Sequence, residues 1–244
     1  MKAIILAAGY ATRLYPLTKD RPKALLPVAG KPIIDYILEQ IRAIPAIDQV
    51  ITVTNDKFFS HFSDWKDGLK DSRDVTVLND GTTDENNRRG AIGDIAYVLQ
   101  QSNFSEDTLV IAGDNLFTFS LADYYDFFLS KNSDCVCAKT VADLDALKQL
   151  AVAETDNLRK IVHFAEKPEN PRSNLAVYAA YMYKAQTLPL FDEYLKQGNS
   201  KDAPGYFIEW LYTRKDVYVY TVNGECYDVG DKSTYAYVNE VFNA

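Results

Sequence analysis

Two rhythms of apolar and polar positions divide the chain. In the first half, short apolar runs at 2–8 (KAIILAA), 49–55 (QVITVTN), 74–80 (DVTVLND) and 108–115 (TLVIAGDN) read as strands of a buried parallel sheet. Each is followed by a stretch with apolar residues at helical spacing: 32–44, with Pro32 near its start, then 57–69, 93–102 and 120–132. Strand followed by helix, repeated, predicts a mainly parallel sheet with helices on both faces.

After about residue 134 the rhythm changes. DCVCAKTV, QLAVAETD, LRKIVHF and LAVYAAYMY are short strand-like runs broken by polar turn formers, a pattern that predicts antiparallel pairing against an existing sheet. Helices are expected at 188–197 and 233–242, with a strand at 216–222 between them. The tract 198–212 (GNSKDAPGYFIEWLY) reads as a helix packing its aromatic residues on the core or on another subunit, and Glu209 and Trp210 are its candidates for ligand contact. The expectation is a single α/β domain over 1–244, with residues 1–133 as a first part and 134–244 as a second. No internal repeat, and no hexapeptide run of the kind that builds an appended β-helix, occurs.

Charge narrows the partners. With 26 Lys and Arg against 34 Asp and Glu, the net charge of −8 excludes the broad basic surface that nucleic-acid binding needs. The apolar start is too short to cross a membrane and lacks a cleavage signal, so a cytoplasmic protein without a membrane partner is expected. Cys135, Cys137 and Cys226 form no CxxC pair, which points to buried thiols rather than to a disulfide or zinc site. His61 and His163 lack a second ligand at metal spacing and read as structural. The 17 tyrosines are expected in the core or at an interface, which leaves a homo-oligomer open.

In an open α/β sheet, ligands bind beyond the carboxyl ends of the strands. The stretch LAAGYATRLYPLTKDRPK (6–23) lies at such a position. Ala7, Ala8, Gly9 and Ala11 are small enough to let backbone N–H groups approach a phosphate, and Arg13 and Lys23 add positive charge. It is neither a Walker loop nor a GxGxxG fingerprint. On residues alone, an ordinary turn with two solvated cations stands equal to a phosphate site.

The longer stretch LAAGYATRLYPLTKDRPKALLPVAGKPII resembles the opening of the sugar-1-phosphate nucleotidyltransferases, with the Arg13 to Lys23 spacing intact and alanine at 11 where the family commonly has glycine. IAGDN (111–115), FAEKP (164–168) and CYDVGD (226–231) resemble further segments of that family in the same order. The resemblance implies a Rossmann-like fold: a mostly parallel mixed sheet flanked by helices, with an antiparallel sugar-binding subregion. It implies the short form, similar to glucose-1-phosphate thymidylyltransferase, and a reaction that joins a nucleoside triphosphate to a sugar 1-phosphate with release of pyrophosphate. It also implies Mg²⁺ held by Asp114 and Asp228. Arg13, Lys23, Asp114 and Lys167 take the catalytic roles. Leu6, Ala8, Gly9, Thr12, Arg13, Lys23, Gly90, Gly93 and Asp114 are assigned to the nucleotide, and Ala151, Glu166, Lys167, Ala179 and Asp228 to the sugar phosphate.

Departures from the family pattern leave the substrates open. Gly93, in RRGAIGDIAYVL, stands where thymidylyl and uridylyl members carry a base-reading glutamine, a form closer to guanylyl and cytidylyl relatives. Ala151 and Ala179 replace glycines expected near the sugar. Glucose 1-phosphate with dTTP or UTP is the default pair. A cytidylyl or guanylyl transfer to another acceptor, such as mannose 1-phosphate or phosphocholine, and a non-catalytic sensor that keeps the fold, are the alternatives. The polar stretch 79–89 is either a loop over the nucleotide or plain surface.

Overall fold

The apolar run at the start forms β1 (Lys2–Leu6), after which the chain makes the short strands β2 (Pro27–Val28) and β3 (Lys31–Pro32), then α1 (Ile33–Arg42), β4 (Gln49–Thr54), α2 (Phe59–Asp67) and β5 (Val75–Asn79). Next come α3 (Ala91–Ser102), β6 (Thr108–Ala112), β7 (Asn115–Phe117), α4 (Leu121–Lys131), β8 (Asp134–Thr140), α5 (Leu144–Leu147), β9 (Ala151–Thr155), β10 (Ile161–Glu166) and β11 (Leu175–Tyr183). The chain closes with α6 (Leu190–Lys196), α7 (Gly205–Leu211), β12 (Val217–Thr221), β13 (Cys226–Asp228) and α8 (Lys232–Val241). These elements come from a computed structural model that describes residues 1–102 and 104–242.

The chain condenses into two units: unit 1 takes Met1–Arg89, Ile111–Ala122 and the segment from Gly224 onward, and unit 2 takes Gly90–Val110 and Asp123–Asn223. The tail of the chain, grouped with residues 134–244 in the sequence reading, thus folds into unit 1.

Unit 1 is built on parallel pairing of β1 with β4 and of β4 with β5, in the register Ile4↔Ile51 and Val50↔Val75. Ala3, Ile4 and Ile5 are fully buried, as a parallel strand covered on both faces requires. In α1, Ile33, Ile34, Ile37, Leu38 and Ile41 form the buried stripe at helical spacing. Each such side chain contributes about 1.5–3 kcal/mol when taken from water. A small two-stranded antiparallel sheet pairs β7 with β13, in the register Asp228↔Asn115.

Unit 2 follows the second rhythm, with one correction. β8 pairs antiparallel with β11, β11 with β9, and β9 with β10, but β12 lies parallel to β8. Alternation within a strand dictates which face is buried and is silent on the direction of its neighbour. Phe191 stacks on Phe207 at 3.8 Å between ring centroids, and Tyr183 meets both rings edge-on, so Phe207 of α7 belongs to the core, while Tyr206 and Trp210 of the same helix stay partly exposed. Cys135 and Cys137 are buried, and burial drives both thiols upward, Cys137 to about 12, which keeps them inert. Cys226, expected to be buried, is only partly covered.

Candidate active site

In unit 1 the loop after β1 is fastened at three points. Asn55, fully buried beyond β4, donates from Nδ2 to the carbonyl of Ala8 at 2.9 Å. The Tyr10 hydroxyl donates to Thr82 Oγ1 at 3.3 Å, and Thr82 in turn donates to the buried carboxylate of Asp80 at 2.8 Å. Thr18 donates to the carbonyl of Ala11 at 2.7 Å. Ala11 takes a left-handed backbone, φ 49°, which explains why glycine suits that position. Among the described residues, no protein acceptor takes the backbone N–H of Gly9, Tyr10 or Ala11, which leaves three donors for an anion. A side chain at Gly9 would meet nothing within 4 Å, so packing does not require a glycine there. Open space beside it suits a ligand.

From this loop Ala7, Gly9 and Ala11 line a cleft of about 100 Å³ together with Leu6, Lys23, Gly113 and Asp114. Lys23 Nζ lies 2.5 Å from Asp114 Oδ2 and 3.9 Å from Asp228 Oδ1. Asp114 sits just past β6. Asp228 is brought to it by the pairing of β13 with β7, just past which the Val229 N–H donates to the Asp114 carbonyl at 3.2 Å. Burial pulls the Lys23 ammonium down, and Asp114 and then Asp228 more than reverse this, so its affinity for the proton ends above the ordinary value. Asp228 is raised by the protein packed around it and next by the charge of Asp114, while Lys23 and Arg13 act the other way. Water still reaches 63% of the Asp228 side chain and screens these effects. Thr12 and Arg13 are exposed at the start of the 3-10 turn Thr12–Leu14, and Arg13 is close enough to act on both Lys23 and Asp228.

The two carboxylates therefore address one cation position, filled here by the ammonium of Lys23. Two hard oxygen donors with open solvent beside them are what Mg²⁺ accepts, since it keeps water and phosphate oxygens as its other ligands. The residues present fit that ion. Among the described residues no cluster of three or more His, Cys, Asp or Glu forms, so a closed all-protein metal cage is not on offer.

Unit 2 carries the remaining predicted residues. Glu166 ends β10, and burial raises its carboxyl above the ordinary value, with Lys167 opposing and Glu209 adding to the shift. Lys167 is exposed and left-handed, φ 51°, with its N–H on the carbonyl of Leu150 at 3.1 Å. Ala151 is buried in β9, and Ala179 lies at the irregularity in β11, where the register slips between Tyr178 and Tyr181. Gly90, expected against a base, has φ 78°, and a Cβ there would stand 2.5 Å from the carbonyl oxygen of Lys201, so the fold itself demands the glycine. Gly93 is half-buried in the first turn of α3. Trp210 donates to Gln197 at 2.9 Å and carries Arg214 on its ring at 4.0 Å, and these contacts hold it as a structural residue. A larger cavity of about 670 Å³ opens in unit 2 beside α3 and α6, where Asp192 is the sole charged lining residue among those described, a poor setting for phosphate.

Of the predicted residues in unit 1, Leu6, Gly9, Lys23 and Asp114 line one cleft, and Arg13 lies near enough to act on Lys23. Asp228, which the sequence reading had also grouped with the sugar phosphate, joins Lys23 from the other side. Ala8 is buried with its carbonyl on Asn55 and Thr12 is exposed, neither of them lining the cleft. Asn55, Thr18 and Thr82, which set the loop's shape, went unread because a buried polar side chain has no periodic or compositional mark. The only local signal was Asn55, a cap residue at a strand end, where it also accepts from the Phe58 N–H at 3.1 Å.

Comparison with known proteins places this geometry in a family. The pattern of the nucleotidyl transferase family matches residues 2–243, and the chain belongs to that family. It is 30% identical over 98% of its length to a Sulfolobus acidocaldarius protein provisionally named mannose-1-phosphate guanyltransferase, covering 62% of that protein. It is 29% identical over 75% of its length to the UTP–glucose-1-phosphate uridylyltransferase AglF of Haloferax volcanii, covering 72% of it. A crystal structure of apo-UDP-glucose pyrophosphorylase superimposes with a TM-score of 0.83 at 22% identity, over 98% of this chain and 96% of that one. The fold is therefore the mixed α/β fold of nucleotide-diphospho-sugar transferases, with helices flanking a mostly parallel sheet. The chain spans about three fifths of the first of these relatives.

Proposed function

We propose that the protein joins a nucleoside triphosphate to a sugar 1-phosphate, giving a nucleotide-diphospho-sugar and pyrophosphate with Mg²⁺ as the metal. The observation that carries the reading is the meeting of Asp114 and Asp228 at Lys23 beside a loop of unused N–H donors. An oxygen of the sugar phosphate attacks the α-phosphorus, a new P–O bond forms, and the bond to the bridging oxygen breaks as pyrophosphate leaves. The acceptor phosphate is already ionised near neutral pH, so no protein base is needed.

The work is positional and electrostatic. Backbone donors of the loop hold the triphosphate, Arg13 neutralises its leaving end, and Lys23 faces the α-phosphate. Bound by Asp114 and Asp228, the metal would supply charge neutralisation on phosphate oxygens. Lys167, in unit 2, holds the acceptor phosphate, and Glu166 accepts hydrogen bonds from sugar hydroxyls.

Glucose 1-phosphate with UTP or dTTP is the default pair. Relatives named for uridylyl and guanyl transfer do not choose between bases, and Gly93 keeps GTP and CTP in the comparison. The test is pyrophosphate release with Mg²⁺ for UTP, dTTP, CTP, GTP and ATP, each against glucose 1-phosphate, mannose 1-phosphate, N-acetylglucosamine 1-phosphate and phosphocholine. One dominant combination with a sugar phosphate is expected. Release with phosphocholine alone would move the acceptor out of the sugar class, and silence across all combinations with nucleotide still bound would point to an acceptor outside these four or to a sensor.

A further inference from the structure

Helix α7 turns two residues, one helical turn apart, toward the same partner. Gly205 is buried, and a Cβ built there would fall onto Oε2 of Glu166, with the Glu166 carboxyl carbon at 3.0 Å and the Cβ of Ala151 at 3.3 Å. Its backbone is ordinary helix, so conformation does not require glycine. Glycine is a poorer helix former than alanine. What it gains here is space, and the carboxylate of Glu166 fills that space. Four residues on, Glu209 Oε2 accepts the backbone N–H of Glu166 at 3.3 Å. Positions i and i+4 share one face of a helix, so the seat and the clasp belong to one surface.

The corner that follows is braced as well. Lys167 turns left-handed immediately after Glu166, and its N–H is tied to Leu150. The Glu166 carboxylate is therefore located from three sides: by the notch at Gly205, by Glu209 on its own backbone, and by the fixed turn at Lys167.

We propose that α7 is the positioning element of the acceptor site, with Gly205 as the seat of the Glu166 carboxylate and Glu209 as the clasp that sets its depth, and that the pair thereby determines which hydroxyl-bearing phosphates are accepted. The inference rests on the reading of Glu166 as an acceptor contact. Gly205 and Glu209 act through Glu166 and need not touch substrate.

A double-mutant cycle on the full chain tests this, with Michaelis constants measured separately for acceptor and nucleotide. Gly205→Ala should raise the acceptor KM by about tenfold or more and leave the nucleotide KM within about twofold, because only the seat of Glu166 is disturbed. Glu166→Gln should raise the acceptor KM to a similar extent. The double variant should be worse than Gly205→Ala by no more than about twofold, because a displaced carboxylate has nothing further to lose. Glu209→Ala should weaken the acceptor, whereas Glu209→Gln, whose amide oxygen accepts the same N–H, should restore it.

Multiplicative effects of Gly205→Ala and Glu166→Gln would overturn the proposal while leaving Glu166 as an acceptor contact. An unchanged acceptor KM in Glu166→Gln alone would instead remove that contact, and the proposal with it. Should Gly205→Ala fail to fold, the two Glu209 variants decide: equal acceptor KM values for Ala and Gln would overturn the clasp.

Discussion

Lys23 has opposite duties in the free protein and in the reaction proposed for it. Free, its ammonium is the counter-ion of Asp114 and Asp228, at 2.5 and 3.9 Å. In the reaction it must face phosphate while a divalent ion takes its place between the carboxylates. Lys23→Met should therefore tighten Mn²⁺ binding to the nucleotide-free protein, by about tenfold, since a unit charge about 4 Å away is worth up to about 4 kcal/mol before solvent screening. The same variant should lower turnover by at least about two orders of magnitude, as loss of a transition-state charge does. Calorimetric titration with Mn²⁺ checks the first half, and weaker binding in Lys23→Met would mean that the two carboxylates are not the metal position. How legible the site was depends on the kind of residue. Arg13, Lys23, Asp114 and Asp228 carry charge in a recognisable order along the chain, and the structure gathers them. Asn55 and Thr18 donate to backbone carbonyls 47 and 7 positions away, and Thr82 accepts from the Tyr10 hydroxyl 72 positions away, and no local pattern announces such partners.

Among the elements, strands of five or more patterned positions and helices of about ten were readable, because burial on one face repeats with the period of the backbone. The pairing of β7 with β13 was not, since each strand has three residues and the Glu225 N–H reaches the Thr118 hydroxyl 107 positions away. The notch in α7 was equally silent, because a glycine chosen for space looks the same in sequence as one chosen for a turn. That notch has a measurable consequence for stability. Glu166 is held above its ordinary pKa of 4.5 mainly by burial, so the folded state binds its proton more tightly than the unfolded chain does. Its contribution to stability is fully present below the unfolded pKa and is lost as pH rises through the folded one. Glu166→Gln carries no such loss. Thermal melts should show the variant gaining on the wild type as pH climbs from 4.5 toward neutrality, and a constant difference in Tm across that range would contradict the seating of this carboxylate against α7.

At the scale of the molecule, unit 1 is assembled from three stretches of chain, and the last of them supplies half of the carboxylate pair. The change of rhythm near residue 134 suggested a cut in sequence, but sequence order does not tell which unit a returning segment joins. The segment from Gly224 onward is fastened by more than Asp228. Val229 is fully buried, Phe242 meets Tyr36 edge-on at 5.1 Å, and the Tyr235 hydroxyl donates to the carbonyl of Pro27 at 2.6 Å. Asp231 caps α8 by accepting the Thr234 N–H at 2.9 Å, which starts the helix where β13 ends. Burial of Val229, Val238 and Phe242 at about 1.5–3 kcal/mol each makes this tail a large fraction of the stability of an ordinary domain, about 5–15 kcal/mol. A chain ending at Asn223 should therefore melt well below the full-length protein and bind no Mn²⁺ at concentrations that saturate it. Asp228→Asn in the full chain separates the two effects: it replaces one carboxylate oxygen of the proposed metal position and removes a neighbouring like charge while every apolar contact of the tail remains. Its Tm should stay within a few degrees of wild type, with Mn²⁺ affinity lost. If the truncated chain kept both its Tm and its metal, the tail would be an appendage of unit 1, and the second metal carboxylate would have to be sought elsewhere.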